Sequence, residues 1–217
     1  LKLADRLNLK MISAKWKNSP LVLEGGSIDV NGFGTLITTE ECLLDQKTQP
    51  RNPGITKSEI EKLFGKYLGI TNVIWLNRGI EGDDTHGHVD GICRFVDRRT
   101  LVLAMETNPS DVNASVLTEN MERLKRVRLE DGSGPDIVTL PMPKPVYFKK
   151  WRLPASYANF YIANKTVLVP IFDDPADRKA LGVLSELFHT RDIIGIHAVD
   201  LLVGLGGLHC ITLQEPV

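Results

Sequence analysis

The order strand, strand, helix, strand recurs three times along this chain. A unit of that kind cannot bury both faces of its sheet alone and must stack on its neighbours, so the recurrence constrains the fold strongly. In the first unit, alternating Ile28 and Val30, then Leu36 and Ile37 around "NGFG", predict two strands joined by a tight turn. The segment "TKSEIEKLFGKYLG" predicts a helix. Thr56 and Glu59 fit a capping box, Gly69 fits the C-terminal cap, and Ile60, Leu63, Phe64, Tyr67 and Leu68 share one face. Asn72 to Leu76, "NVIWL", closes the unit as a buried strand.

The second unit predicts strands in "HVDGICRFV" and "TLVLAM", a helix marked by Val116, Leu117, Met121 and Leu124, and a closing strand from Asp136 to Leu140. The third predicts strands in "SYANFYIA" and "KTVLVPIF", a helix from Pro175 to Phe188 with Asp174 as N-cap, and a closing strand from Asp192 to Ile196. "HCITLQ" reads as the first strand of a fourth unit. "LKLADRLNLKMI" reads as the helix and closing strand of a unit whose start is absent. The expected fold class is α/β, with the units packed around a shared axis as one domain over residues 1–217.

Bulk properties exclude several function classes. An apolar fraction of 42% can fill a core, and charged residues balance to a net −1, which gives no electrostatic case for nucleic acid or an anionic membrane. No apolar run approaches the ~18 residues of a membrane span. Cys42, Cys93 and Cys210 are far apart and form no CxxC pair, so neither a thiolate metal cluster nor a disulfide framework is expected. A reducing, cytoplasmic compartment follows from that usage. Cys42 and Cys93 read as strand packing residues.

Set in register, the units place their reactive residues alike. Glu24 precedes the first strand of the first unit, His88 and Asp90 open the second, Tyr157 and Asn159 the third, and Cys210 the fourth. Equivalent places around an axis converge, so these residues should line one central cleft. A thiolate attacks an electron-poor carbon, an imidazole moves protons near neutral pH, and carboxylates grip a planar cation. A guanidinium supplies both the cation and the carbon. Asp84 and Asn159 are candidates for further substrate contacts. Taken one at a time, Cys210 could be a core thiol, His88 a structural histidine and Glu24 a turn residue. Asp83, Asp84, His86, His88 and Asp90 could bind a divalent metal, with His86, His88 and Asp90 on one strand face, but no further ligand cluster supports this and no metal is expected. His209, next to Cys210 on a strand, would face away from it and make a poor base.

At these residues the sequence resembles the agmatine deiminase and bacterial-type peptidylarginine deiminase family of the guanidino-modifying pentein superfamily. The matching motifs are "LEGGSIDVNGFGTLITTEECLL", "WLNRGIEGDDTHGHVD", "LPASYANFYIAN" and "GGLHCITLQEP". The resemblance implies a five-bladed α/β propeller of ββαβ units, represented here without roughly one N-terminal blade. It implies Cys210 as nucleophile, His88 as general acid/base, Asp90 as guanidinium ligand, and Glu24 as the acid contacting guanidinium and histidine. The family's Trp-x-Arg-Asp segment, which carries a further guanidinium ligand, finds no match, so the chain alone is expected to turn over poorly.

The implied activity is hydrolytic deimination of a small guanidino molecule, agmatine first, without cofactor. Peptidylarginine or free arginine is the alternative substrate, and a non-catalytic guanidino-binding or assembly module the alternative of another class. Oligomeric state is left open.

Overall fold

The apolar runs, too short for helices, pair into three small sheets of one design. The computed structural model describes residues 2–214. Helix α1 (Lys2–Arg6) and a hairpin of β1 (Lys15–Trp16) and β2 (Ser19–Pro20) come first. The expected closing strand in "LKLADRLNLKMI" does not form, and Leu9, Met11 and Ile12 are exposed with no strand to pair with.

The first unit comprises β3 (Ile28–Val30), β4 (Thr35–Thr39), α2 (Glu40–Leu44), α3 (Lys57–Leu68) and β5 (Asn72–Leu76). β3 runs antiparallel to β4, and β4 parallel to β5. The capping box of α3 forms: Glu59 N–H donates to Thr56 Oγ1 and Thr56 N–H to Glu59 Oε2. Gly69 ends the helix with φ of 70°, where a side chain would be strained. Cys42, expected in a strand, lies on the short α2, whose N-cap Thr39 precedes it by three residues.

The second unit repeats this arrangement with β6 (Cys93–Phe95), β7 (Thr100–Met105), α4 (Val112–Leu124) and β8 (Asp136–Pro141). A hairpin of β9 (Tyr147–Phe148) and β10 (Trp151–Arg152) leads to the third, made of β11 (Tyr161–Ile162), β12 (Thr166–Ile171), α5 (Pro175–Leu187) and β13 (Asp192–His197), followed by α6 (Val199–Leu202). Asp174 caps α5 with Pro175 in its first turn, as its sequence predicts.

The units lock through their helices. α4 packs on its own β7 and on β5 of the unit before it, and α5 on its own β13 and on the preceding β8. One apolar core therefore runs continuously from Ile37 through Leu103 and Phe160 to Leu202. A polar seam reinforces the first junction. The Glu130 carboxylate accepts from Asn31 and Thr35 of the first unit at 2.8 and 2.6 Å and from Arg98 of the second at 3.2 Å.

Three expectations at the unit starts are corrected. "HVDG" is not strand: Val89–Gly91 form a 3₁₀ turn, and His86 has φ of 58°. His86, His88 and Asp90 therefore do not share a strand face. "HCI" is likewise a 3₁₀ turn, His209–Ile211, and no fourth-unit strand forms among the described residues. Tyr157 and Asn159 precede β11 in a turn rather than opening a long strand. Gly87 and Gly91 around "HVD", and Gly206 and Gly207 ahead of "HCI", favour turns over ladders there. No described helix is long and apolar enough to cross a membrane.

Candidate active site

Three 3₁₀ turns meet at one point: Gly25–Ser27 ahead of β3, Val89–Gly91 ahead of β6, and His209–Ile211. Two of them immediately precede the first strand of a unit, so the repeat brings residues from distant parts of the chain together. His88, Asp90, Asn159 and Cys210 line a tight cavity of about 20 Å³ with Asp83, Thr85, Leu205, Gly206 and Gly207.

Cys210 Sγ lies 3.7 Å from Asp90 Oδ2 and accepts from Asn159 Nδ2 at 3.3 Å. Cys210 is exposed as a residue, but packing around its sulfur, and then the Asp90 charge, push its thiol up to about 11, against smaller opposing effects of the Gly207 N–H and the Asn159 amide. Asp90 is buried and is held by His209 Nδ1 at 2.8 Å. The His209 backbone N–H in turn donates to Asn159 Oδ1 at 2.9 Å. The sequence reading set His209 aside because strand neighbours face opposite ways. On a 3₁₀ turn that alternation does not apply, and His209 and Cys210 both reach the same carboxylate oxygen.

His88 stands at the head of the second turn. Its backbone N–H and that of Gly87 both donate to Asp83 Oδ2 at 3.0 Å. Its Nε2 is buried and lies 3.5 Å from Glu24 Oε2. Glu24 is gripped from behind by Arg51. The turn bearing Gly26 comes so near that a Cβ there would stand 2.6 Å from both Asp90 Oδ2 and His88 Nδ1.

The sequence-predicted residues are not placed alike. His88, Asp90, Asn159 and Cys210 line the tight cavity, whereas Glu24 does not line it and touches the group only through His88 Nε2. Asp84 is exposed and lies on the wall of an adjoining cavity of about 810 Å³, which shares Ile80, Asp83 and Leu205 with the tight one. Arg51, Asp83 and His209 were missed. Nothing local marks Arg51, and Asp83 cannot be told from its neighbour Asp84 without the fold.

Glu24, Cys42 and His88 bring one ligand atom each within 4.8 Å of one another, a spacing that a metal could bridge. The donor set fits poorly. Arg51 already supplies a cation to Glu24, and burial pushes the Cys42 thiol up to about 12, away from the thiolate that a metal needs.

A thiol flanked by a buried carboxylate, with a carboxylate–imidazole pair beside it, suits attack on the carbon of a bound cation. The chain as a whole is similar to known proteins. An agmatine deiminase of Pseudomonas syringae pv. syringae is 38% identical over 213 residues, covering 90% of this chain and 57% of the relative. The solved agmatine deiminase of Enterococcus faecalis superposes with TM-score 0.90 at 31% identity, covering 99% of this chain and 62% of that one. A cysteine-to-serine variant of C. jejuni agmatine deiminase with substrate bound gives TM-score 0.86 at 34% identity, covering 96% and 59%. An amidinotransferase from Microseira wollei, at 15% identity and TM-score 0.53, shares the fold alone. The chain spans about 60% of the length of the first curated relatives it matches. Its residues 2–216 match one family throughout, and the chain belongs to the Porphyromonas-type peptidyl-arginine deiminases.

Proposed function

We propose that the protein hydrolyses a guanidino group to a ureido group, with agmatine as first substrate, giving N-carbamoylputrescine and ammonia. The observation that carries this reading is the meeting of Cys210, Asp90, Asn159 and His88 around one tight cavity, with Glu24 behind His88. The relatives named agmatine deiminase support the substrate class.

The chemistry runs in two halves. Asp90 holds the planar cation with its carbon against Cys210, and Asn159 fixes the sulfur. Cys210 gives its proton to His88, and the thiolate adds to that carbon. His88 gives a proton to the departing nitrogen, the C–N bond breaks, and ammonia leaves an amidino-cysteine. His88 then takes a proton from water as the water attacks the same carbon. Collapse breaks the C–S bond and releases the ureido product with Cys210 restored. Splitting one displacement into two lowers each barrier, and no step calls on a cofactor. The free cysteines suit a reducing, cytoplasmic setting.

A thiol near 11 is inert at neutral pH, so the substrate's own charge must help. At ~4 Å and an effective dielectric of ~20, a unit cation contributes about 4 kcal/mol in favour of the thiolate, which moves the thiol down toward neutral pH. In the ligand-free protein, alkylation of Cys210 by iodoacetamide should therefore climb about tenfold per pH unit toward pH 11. Peptide mapping at each pH checks this, and a plateau below pH 9 would contradict it. Product analysis with agmatine, arginine and an arginyl peptide in parallel tests the function itself. Ureido product and ammonia in equal amounts, fastest from agmatine, is the expected result. Preference for the peptide would move the substrate assignment to the family's peptidyl members, and no turnover of any of the three would overturn deimination.

A further inference from the structure

Arg51 lies on the loop between α2 and α3, where an arginine would ordinarily extend into solvent. Its side chain is only 5% exposed, whereas that of Glu24, its partner, is 40% exposed. Nε donates to Glu24 Oε2 at 3.0 Å and to Oε1 at 3.3 Å, and Nη2 to Oε1 at 3.3 Å. Nη1 donates to the Gln49 carbonyl at 3.2 Å, and Nη2 also donates to the Thr85 carbonyl, three residues before His88. One guanidinium thus ties the segment bearing Glu24 to the segment bearing His88.

The residues around it extend the same tie. Asn52 receives the Val22 N–H at 2.9 Å and donates to the Val22 carbonyl at 2.8 Å, fixing the backbone two residues ahead of Glu24. Gln49 Nε2 donates to the Asp84 carbonyl at 2.7 Å, and His86 Nε2 lies 2.7 Å from Asp45 Oδ2. The loop from Asp45 to Asn52 therefore braces both arms of the pair. Within that brace, Glu24 Oε2 lies between Arg51 Nε and His88 Nε2, and the latter has no hydrogen-bond partner among the described residues.

We propose that Arg51 is a positioning residue that holds the Glu24 carboxylate against His88 Nε2 and already balances its charge. Glu24 then serves mainly to orient the imidazole, and Asp90 carries most of the grip on the substrate cation. The inference rests on the deimination reading for its kinetic arm. A flexible carboxylate without its fork drifts, and misplacement of a catalytic group by ~1 Å can cost on the order of 100-fold in rate. A lysine cannot reproduce the fork, because it offers one point charge where the guanidinium offers aligned donors.

The test uses Arg51→Lys, Arg51→Gln, Glu24→Gln and the Arg51→Gln/Glu24→Gln pair in the complete protein, each checked by thermal melting. Arg51→Gln should lower kcat about 10- to 100-fold with KM changed less than about threefold. Arg51→Lys should fold as wild type and rescue little of that loss. The double variant should be no slower than Glu24→Gln alone, since both changes remove one interaction. Losses that multiply, or kcat unchanged in both Arg51 variants, would overturn the proposal. An arm independent of turnover separates its failure from that of deimination. The His88 ring resonances, followed by NMR at fixed pH, should move in Arg51→Lys in the same direction as in Glu24→Gln. Unmoved ring resonances would overturn the positioning role even if no guanidino compound proves to be a substrate.

Discussion

Cys210→Ser should abolish deimination, lowering kcat by at least about 1,000-fold, while the fold and substrate binding persist. The replacement is nearly isosteric, so Asn159 and Asp90 keep a polar partner where they now flank the sulfur at 3.3 and 3.7 Å. A serine hydroxyl ionises far less readily than a thiol, and the nearby Asp90 charge opposes its ionisation too. On the proposed reading Asp90, not the nucleophile, holds the cation, so the variant should still bind agmatine by calorimetry. Mass spectrometry of quenched wild-type reactions should find an amidino adduct on Cys210 and none in the variant. Appreciable turnover by Cys210→Ser would defeat the covalent route.

Gly26→Ala should be nearly as damaging, although it removes nothing. A methyl at this position would lie 2.6 Å from Asp90 Oδ2, 2.6 Å from His88 Nδ1 and 3.0 Å from Asp90 Cγ, inside the reach of ordinary contacts. Both functional side chains must retreat or the turn must lift. Overpacking of this sort costs about 1–3 kcal/mol of stability, and displacing two groups that must align on one carbon should cost on the order of 100-fold in kcat. The neighbouring glycine is the control, because a Cβ on Gly25 meets nothing within 4 Å. Gly25→Ala should leave stability within about 0.5 kcal/mol and activity close to wild type. Melting curves and initial rates on the pair decide the matter, and equal behaviour of the two variants would refute the steric account.

Much of this architecture was legible in the residues. The α3 capping box, the Asp174–Pro175 start of α5 and the buried run of β7 are local signals, and each produced the element it predicts. What failed was the ends of units. "HVDG" alternates polar and apolar residues as a strand does and "HCI" opens an apolar run, yet both form 3₁₀ turns. Period two over three or four residues cannot tell the two apart without a pairing partner. The error reached the site through His209, which strand logic sent to the wrong side of Cys210. Glu24, His88, Asp90 and Asn159 could be grouped in advance because each lies shortly ahead of the first strand of a unit, whereas Cys210 falls beside them on a turn that no fourth-unit strand follows among the described residues. Arg51 was not, since it enters from a loop outside the repeating elements, and its role depends on a contact 27 residues away with Glu24.

The turns that carry the reactive groups belong to no single unit; they meet only where neighbours dock. Reactivity is therefore a property of the seams, and its lifetime on warming is set by the weakest of them rather than by the whole fold. Where the Asn31–Thr35–Glu130–Arg98 seam and the Arg51 tie both part, every strand can keep its ladder while Glu24 swings away from His88. Such a molecule would look folded to circular dichroism and yet be chemically silent.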